Sequence, residues 1–268
     1  MKGVKAAFIE PMLLLKTEKL PDEAGWLREV KLDGYRAIAF KAAGTIHLRS
    51  RNDNDFARRY PSIVKALARL PEGTVIDGEV VALDGEGRPS FQILQNYGNS
   101  PGPVVFFVFD ILVLAGRAVM NEPLSARRAL LEQKILPKLK EPIRYSLEFD
   151  TPLPELIAAV KAQGLEGLVA KRRDSRYEPG LRSGAWQKMR LNAGQEFVIG
   201  GYTVGTSTFD ALVFEYYEGD KLMYAARTRN GFTPASRVAL FRKLKPLEIN
   251  TAPSRTCRRR KADGGDRA

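Results

Sequence analysis

The chain has 268 residues, enough for one large domain or two modest ones, and carries a formal net charge of +12. Cys257 is its only cysteine and His47 its only histidine, which excludes a disulfide framework, a Cys/His zinc site and catalysis by a Cys–His pair or a Ser–His–Asp triad. The charge points to a polyanionic partner, nucleic acid first. Chemistry is left to Lys, Arg, Asp and Glu, with a metal ion held by oxygen ligands.

The run Pro11-Met12-Leu13-Leu14-Leu15 is too short for a signal peptide or a membrane span, so a cytoplasmic location is expected. Residues 25–49 read as strands broken by a glycine turn, with Glu29, Lys31 and Asp33 alternating with Val30 and Leu32. Pro61 to Leu70 reads as a helix that places Ile63, Val64, Leu67 and Leu70 on one face. Thr74 to Leu83 reads as a strand ending at the Asp84-Gly85 turn. Val104 to Leu114 is apolar enough for a strand buried on both faces. Helices are predicted over 123–137 and 154–163, and strands over Leu168–Lys171 and Ala185–Arg190.

The texture changes after Asn192-Ala193-Gly194. Short strands are predicted over Phe197–Tyr202, Ala211–Tyr217 and Lys221–Thr228, then a helix over Pro234–Leu244, a pattern that suggests a small β-barrel segment. Residues 250–268, with Arg258-Arg259-Arg260-Lys261, have no apolar period and read as a basic disordered tail.

The segment Lys31-Leu32-Asp33-Gly34-Tyr35-Arg36 carries the chemistry. A neutral lysine amine can attack the α-phosphate of a nucleotide to form a phosphoramidate, Gly34 permits a sharp turn, and Arg36 can fork onto phosphate or sugar oxygens. Its companions follow in order: Ser50-Arg51-Asn52, Asp77-Gly78-Glu79, Phe106-Phe107-Val108-Phe109-Asp110, Glu166-Gly167-Leu168-Val169-Ala170-Lys171 and Trp186-Gln187-Lys188-Met189-Arg190. Strand alternation sends Phe107 and Phe109 to one face and Phe106 to the other. Taken singly, Asp77 and Glu79 read more readily as a solvated strand face.

In this order and spacing the motifs resemble the covalent nucleotidyltransferase superfamily, and most closely the ligase module of bacterial LigD-type ATP-dependent DNA ligases. The resemblance covers about residues 8 to 247. It implies an α+β adenylation domain, ATP-grasp-like, with antiparallel sheets and flanking helices over 1–192, a truncated OB-fold barrel over 193–249, and the tail over 250–268. It also implies the roles. Lys31 is expected to carry the adenylate, with Lys171 and Lys188 at the α-phosphate. Glu29 and Val30 would meet the adenine edge, largely through backbone atoms, and Phe109 would stack on the purine. Arg36 and Arg51 would hold ribose and phosphate, Arg190 would add charge at the bound nucleotide, Glu79 would contact the ribose, and Glu79 and Glu166 would hold Mg²⁺ or Mn²⁺. The substrates implied are ATP and nicked duplex DNA, handled by a monomer near a bacterial nucleoid, with end-binding or polymerase proteins of end joining as candidate partners.

The alternatives are an RNA ligase or RNA-capping relative, or a DNA-binding remnant without turnover. Zinc-bearing NAD-dependent ligases are disfavoured for want of cysteines. Arg58-Arg59, Arg127-Arg128, Arg172-Arg173, Arg176 and Arg182 read as contacts to duplex DNA on connecting segments and polar helix faces. Three departures from the family pattern stand out. Arg190 replaces a lysine, Asp53 replaces a glycine, and the final basic motif has no counterpart after Pro246, which predicts slow or partner-dependent self-charging.

Overall fold

The computed structural model describes residues 3–98, 102–191 and 197–249. The chain divides into two compact units, Met1–Asn192 and Ala193–Ala268. The first unit opens with β1 (Leu15–Lys16), β2 (Trp26–Val30), β3 (Tyr35–Ala42), β4 (Thr45–Ser50), α1 (Pro61–Ala66), β5 (Val75–Ala82) and α2 (Phe91–Gln95). It continues with β6 (Val104–Leu114), β7 (Arg117–Ala118), α3 (Leu124–Leu130), β8 (Ile143–Tyr145), α4 (Leu153–Ala162), β9 (Gly167–Arg172) and β10 (Trp186–Arg190).

The larger sheet runs β4-β3-β5-β6-β7, with β8 beside β6. The smaller runs β1-β10-β9-β2. Side-chain alternation assigns each face. On the larger sheet Ala37, Ala39, Ile76, Val80, Phe106 and Val108 face an outer core with Ile63 and Leu67 from the α1 segment. Their neighbours Ile38, Phe40 and Phe109 face inward, where they meet Leu27 of β2 and Trp186 of β10 from the smaller sheet. The far face of the smaller sheet, Leu168, Ala170 and Met189, is covered by Leu153, Leu156 and Val160 of α4. Layers therefore run helix, sheet, shared core, sheet, outer core, and the shared core opens into the functional cleft.

Two glycines permit this closeness. A Cβ on Gly34 would run into the Val80 carbonyl and meet Glu79 Cγ at 2.9 Å, and one on Gly78 would meet the Phe107 carbonyl at 2.5 Å. A bulge falls where Asp77 pairs with Asp110 and Gly78 with Val108. Val108 and Ile111 both face the outer core. The extra residue lets Phe109 and Asp110 both leave on the inner side.

The second unit is described from Phe197. It holds β11 (Val198–Val204), β12 (Phe209–Glu218) and β13 (Lys221–Thr228) in one antiparallel sheet, then α5 (Pro234–Leu244). Thr233 and Ser236 form a reciprocal cap at the helix start. Among the described residues this sheet has three strands and is not a closed barrel, so the expected truncated OB-fold barrel is not confirmed. A three-stranded antiparallel meander leaves both edge strands open. The basic tail over 250–268 lies outside the described residues. Among the described residues no helix is long and apolar enough to cross a membrane.

Candidate functional site

The residues picked out by motif converge. Glu29, Val30, Lys31, Arg36, Arg51, Glu79, Phe109, Lys171 and Lys188 all line one cleft between the two sheets. Glu166 and Arg190 adjoin it: Glu166 accepts from Lys31 Nζ through one oxygen and meets Arg190 Nε at 3.1 Å through the other. Lys31 stands just beyond the end of β2 rather than within it. Its amide donates to the Gly167 carbonyl at 2.8 Å, which carries the sheet pairing one residue further and fixes the root of its side chain.

The cleft has two chemically distinct ends. At one, Phe109 is 6% exposed, with Lys171 Nζ 4.0 Å and the Arg36 guanidinium 4.6 Å from its ring centroid. Arg36 is held by a two-pronged ion pair to Asp77, both contacts 2.6 Å, and Asp77 also accepts from the Tyr177 hydroxyl at 2.6 Å. Asp77 is fully buried, so it does not belong to a solvated strand face. Lys171 donates to Glu29 at 2.7 Å. A buried carboxylate needs cationic partners, so the Lys171 amine sits on Glu29 rather than free in the cleft. Burial lowers the Lys171 pKa, and Glu29 opposes that effect.

At the other end Lys31, Lys188, Arg51 and Arg190 gather beside Glu79, Glu166 and Asp33. The Lys188 pKa is lowered by burial, then by the cations of Lys31, Arg190 and Arg182. Burial raises the Asp33 pKa, helped by Glu166. Burial pushes Glu79 up to about 7 even though Arg36 and Lys31 pull it down. Among the described residues no cluster of three or more His, Cys, Asp or Glu side chains could hold a metal alone. Glu79 and Glu166 could supply only part of a coordination shell.

Sequence reasoning misplaced one pair. Arg127 and Arg128 are buried, 0% and 4% exposed, and are not duplex contacts on a polar helix face. Arg127 grips Asp110 at 2.8 and 2.7 Å and donates to the carbonyls of Glu122 and Ser175. Arg128 donates to Glu29 and to the carbonyls of Phe109 and Ser146. Arg182 stays exposed, at the rim of the cleft, and donates to the Leu14 carbonyl.

The segment Pro11–Leu14 closes the cleft and was not anticipated as part of it. Met12 donates its amide to the Tyr177 hydroxyl at 3.0 Å, and Leu13 donates to the Leu181 carbonyl at 2.8 Å. At the Ser50 turn, Asp53 adopts φ +59° and so occupies the left-handed conformation a glycine would take. The Ser50 hydroxyl accepts from the amides of Asn52 and Asn54, which holds the turn without glycine.

Comparison with known proteins agrees with this geometry. The model for the ATP dependent DNA ligase domain matches residues 11–190. The multifunctional non-homologous end joining protein LigD of Pseudomonas aeruginosa is 36% identical over 255 residues, covering 92% of this chain and 30% of that protein. DNA ligase C1 of Mycolicibacterium smegmatis is 31% identical over 256 residues, covering 89% of this chain and 73% of that protein. A solved structure described as mycobacterial DNA ligase D complexed with ATP and MES superposes with a TM-score of 0.65 at 33% identity, covering 92% of this chain and 80% of that one. The chain thus spans about 30% of the length of the LigD relative and most of the smaller ligase. By these matches the chain belongs to the family of the ATP-dependent DNA ligase domain.

Proposed function

We propose that this chain joins nicks in duplex DNA through a lysyl-adenylate on Lys31 and a DNA-adenylate, in bacterial DNA repair by end joining. The observation that carries the reading is the placement of Lys31. Its amine stands at the phosphate end of a cleft whose other end holds a buried aromatic ring, with Lys188, Arg51 and Arg36 between or beside them.

In the first step Nζ bonds to the α-phosphorus of ATP, the bond to the pyrophosphate oxygen breaks, and Nζ loses its proton. Lys188 and Arg51 offset charge growing on the phosphate oxygens, and Arg190 adds to that field. Phe109 provides the flat apolar face for the purine, and the β2 backbone at Glu29 and Val30 borders its edge. Arg36, fixed by Asp77, offers its remaining donors to the ribose and phosphate. Lys171, expected at the α-phosphate, is held by Glu29 and against Phe109, so in this reading it steadies the wall on which the base lies.

Adenylation removes the positive charge of Lys31, which leaves Glu166 with Arg190 as its one ion-pair partner among the described residues and takes away one of the two cations that act on Glu79. That deficit suits a divalent cation held by these carboxylates with phosphate and water. Mg²⁺ or Mn²⁺ bound there would supply charge neutralisation at the transferred phosphate. The second unit reads as the start of the family's OB-type domain, and Arg51 as a grip on the 5′-phosphate of the nick. The three domains, the monomeric state and the place beside the nucleoid follow the same reading.

The test is incubation with α-labelled ATP and Mg²⁺, beside Lys31→Ala, followed by nicked duplex DNA. Label on the wild type, absent from the variant and discharged by nicked DNA, is expected. Label discharged only by nicked RNA would replace DNA by RNA as substrate. Salt-sensitive duplex binding with no label, and no sealing of pre-adenylated nicks, would overturn the reading.

A further inference from the structure

Arg128 lies outside every motif that identifies the site, yet its guanidinium bonds three residues that line the cleft. It projects from α3 and is 4% exposed. One terminal nitrogen donates both to the Glu29 carboxylate on β2 and, at 3.3 Å, to the Phe109 carbonyl on β6. The other donates to the Ser146 carbonyl beyond β8 at 2.9 Å. The Tyr145 ring lies under the guanidinium, 4.5 Å from its centroid. Glu29, Phe109 and Ser146 all line the cleft, and the second oxygen of Glu29 holds Lys171, another lining residue.

The contacts bridge two sheets, because β6 and β8 are parallel neighbours and β2 is not among them. β2 belongs to the smaller sheet and β6 to the larger, and no strand pairing joins the two sheets. One planar fork therefore bonds both the carboxylate of Glu29 and the backbone of Phe109, beside the Lys171 amine that bonds Glu29 and lies over the Phe109 ring. A point-charge ammonium could neutralise Glu29 but could not reach both carbonyls in the same plane. Small shifts between two walls that hold a flat ligand change which edge pattern fits between them.

We propose that Arg128 is a positioning residue that sets which purine the cleft accepts, by clamping the Glu29 and Phe109 walls at a fixed separation. The proposal rests on the cleft being the nucleotide site, as proposed above. Arg128 touches neither the phosphate end nor Lys31, so it acts on base recognition and not on the transfer step.

Its neighbour Arg127 provides the control. Arg127 is equally buried and paired, but it bonds Asp110 and carbonyls that do not line the cleft. The experiment measures equilibrium binding of ATP and GTP by displacement of a fluorescent ATP analogue. Wild type, Arg128→Lys, Arg128→Gln and Arg127→Lys are compared, with folding followed by circular dichroism. Arg128→Lys is expected to weaken ATP binding about tenfold and to narrow the ATP-to-GTP preference by a similar factor. Arg127→Lys should lower the melting temperature and leave the preference unchanged.

If Arg128→Lys does not fold, Arg128→Gln, which keeps two donors without charge, carries the same expectation. An unchanged preference in a folded Arg128 variant, or an equal change in Arg127→Lys, would overturn the inference while leaving the proposed function intact. A wild type that binds neither nucleotide would overturn both.

Discussion

Replacing Arg127 with methionine separates a core role from a DNA-contact role. Both side chains of the Arg127–Asp110 pair are 0% exposed, so solvent does not screen it. Removing the guanidinium leaves Asp110 buried without its counterion and strips a donor from the Glu122 and Ser175 carbonyls. Breaking such a pair costs about 3–5 kcal/mol. In a unit of this size that corresponds to a fall in melting temperature on the order of 10 °C.

Urea denaturation followed by circular dichroism gives the free energy. The double variant Arg127→Met with Asp110→Leu should recover at least half of the loss, because the stranded charge is gone. Meanwhile the dependence of duplex binding on salt should not move, whereas a phosphate contact would reduce the log–log slope by ~1. A loss below ~1 kcal/mol together with a reduced slope would refute the burial argument and restore Arg127 to the DNA surface.

The Glu79 carboxyl, held near 7 in the fold by burial, stands above its ordinary 4.5. A carboxyl raised in the folded state contributes stability below its unfolded pKa and loses it as pH climbs through the folded value. Glu79→Gln should therefore gain on wild type between pH 4.5 and 7, by ~3 kcal/mol at most, read from urea midpoints across that range. Mg²⁺ added at pH 8 should raise the wild-type melting temperature more than that of Glu79→Gln, since the ionised carboxylate is the group that would hold it. Gly34→Ala should destabilise by roughly 2 kcal/mol or more, because the new methyl meets the Val80 backbone and not a movable side chain. Lys188→Ala should slow adenylation about 100-fold while leaving the melting temperature within a few degrees, as expected of a cation aimed at developing phosphate charge and not at the core.

Local signals were legible where one residue's chemistry decides the conformation. The helix Pro234–Leu244 and the strand Lys221–Thr228 have the bounds read from the sequence, each set off by a turn or a proline at its start. The site was legible because alternation sends Glu29, Arg36, Glu79, Phe109, Lys171 and Lys188 to inward faces of strands whose types were plain. What failed depended on partners distant in the chain. Arg127 finds Asp110 17 positions away and Arg128 finds Glu29 99 positions away, so two adjacent arginines that look like a surface patch become the most buried cations of α3. Pro11–Leu14 became cleft wall through Tyr177, Leu181 and Arg182, more than 160 positions on. In the second unit the strands were legible and barrel closure was not. Turn spacing reports strands, but closure depends on pairing between the first and last of them.

The proposed chemistry requires one nitrogen, Lys31 Nζ, to become bonded to phosphorus, and peptide mapping reads that directly. Wild-type protein incubated with ATP and Mg²⁺, digested and analysed by mass spectrometry, should carry the mass of AMP on the peptide containing Lys31, labile to acid and lost on adding nicked duplex DNA. AMP found on Lys171 or Lys188 instead, or no modified peptide from folded protein that binds ATP, would contradict it.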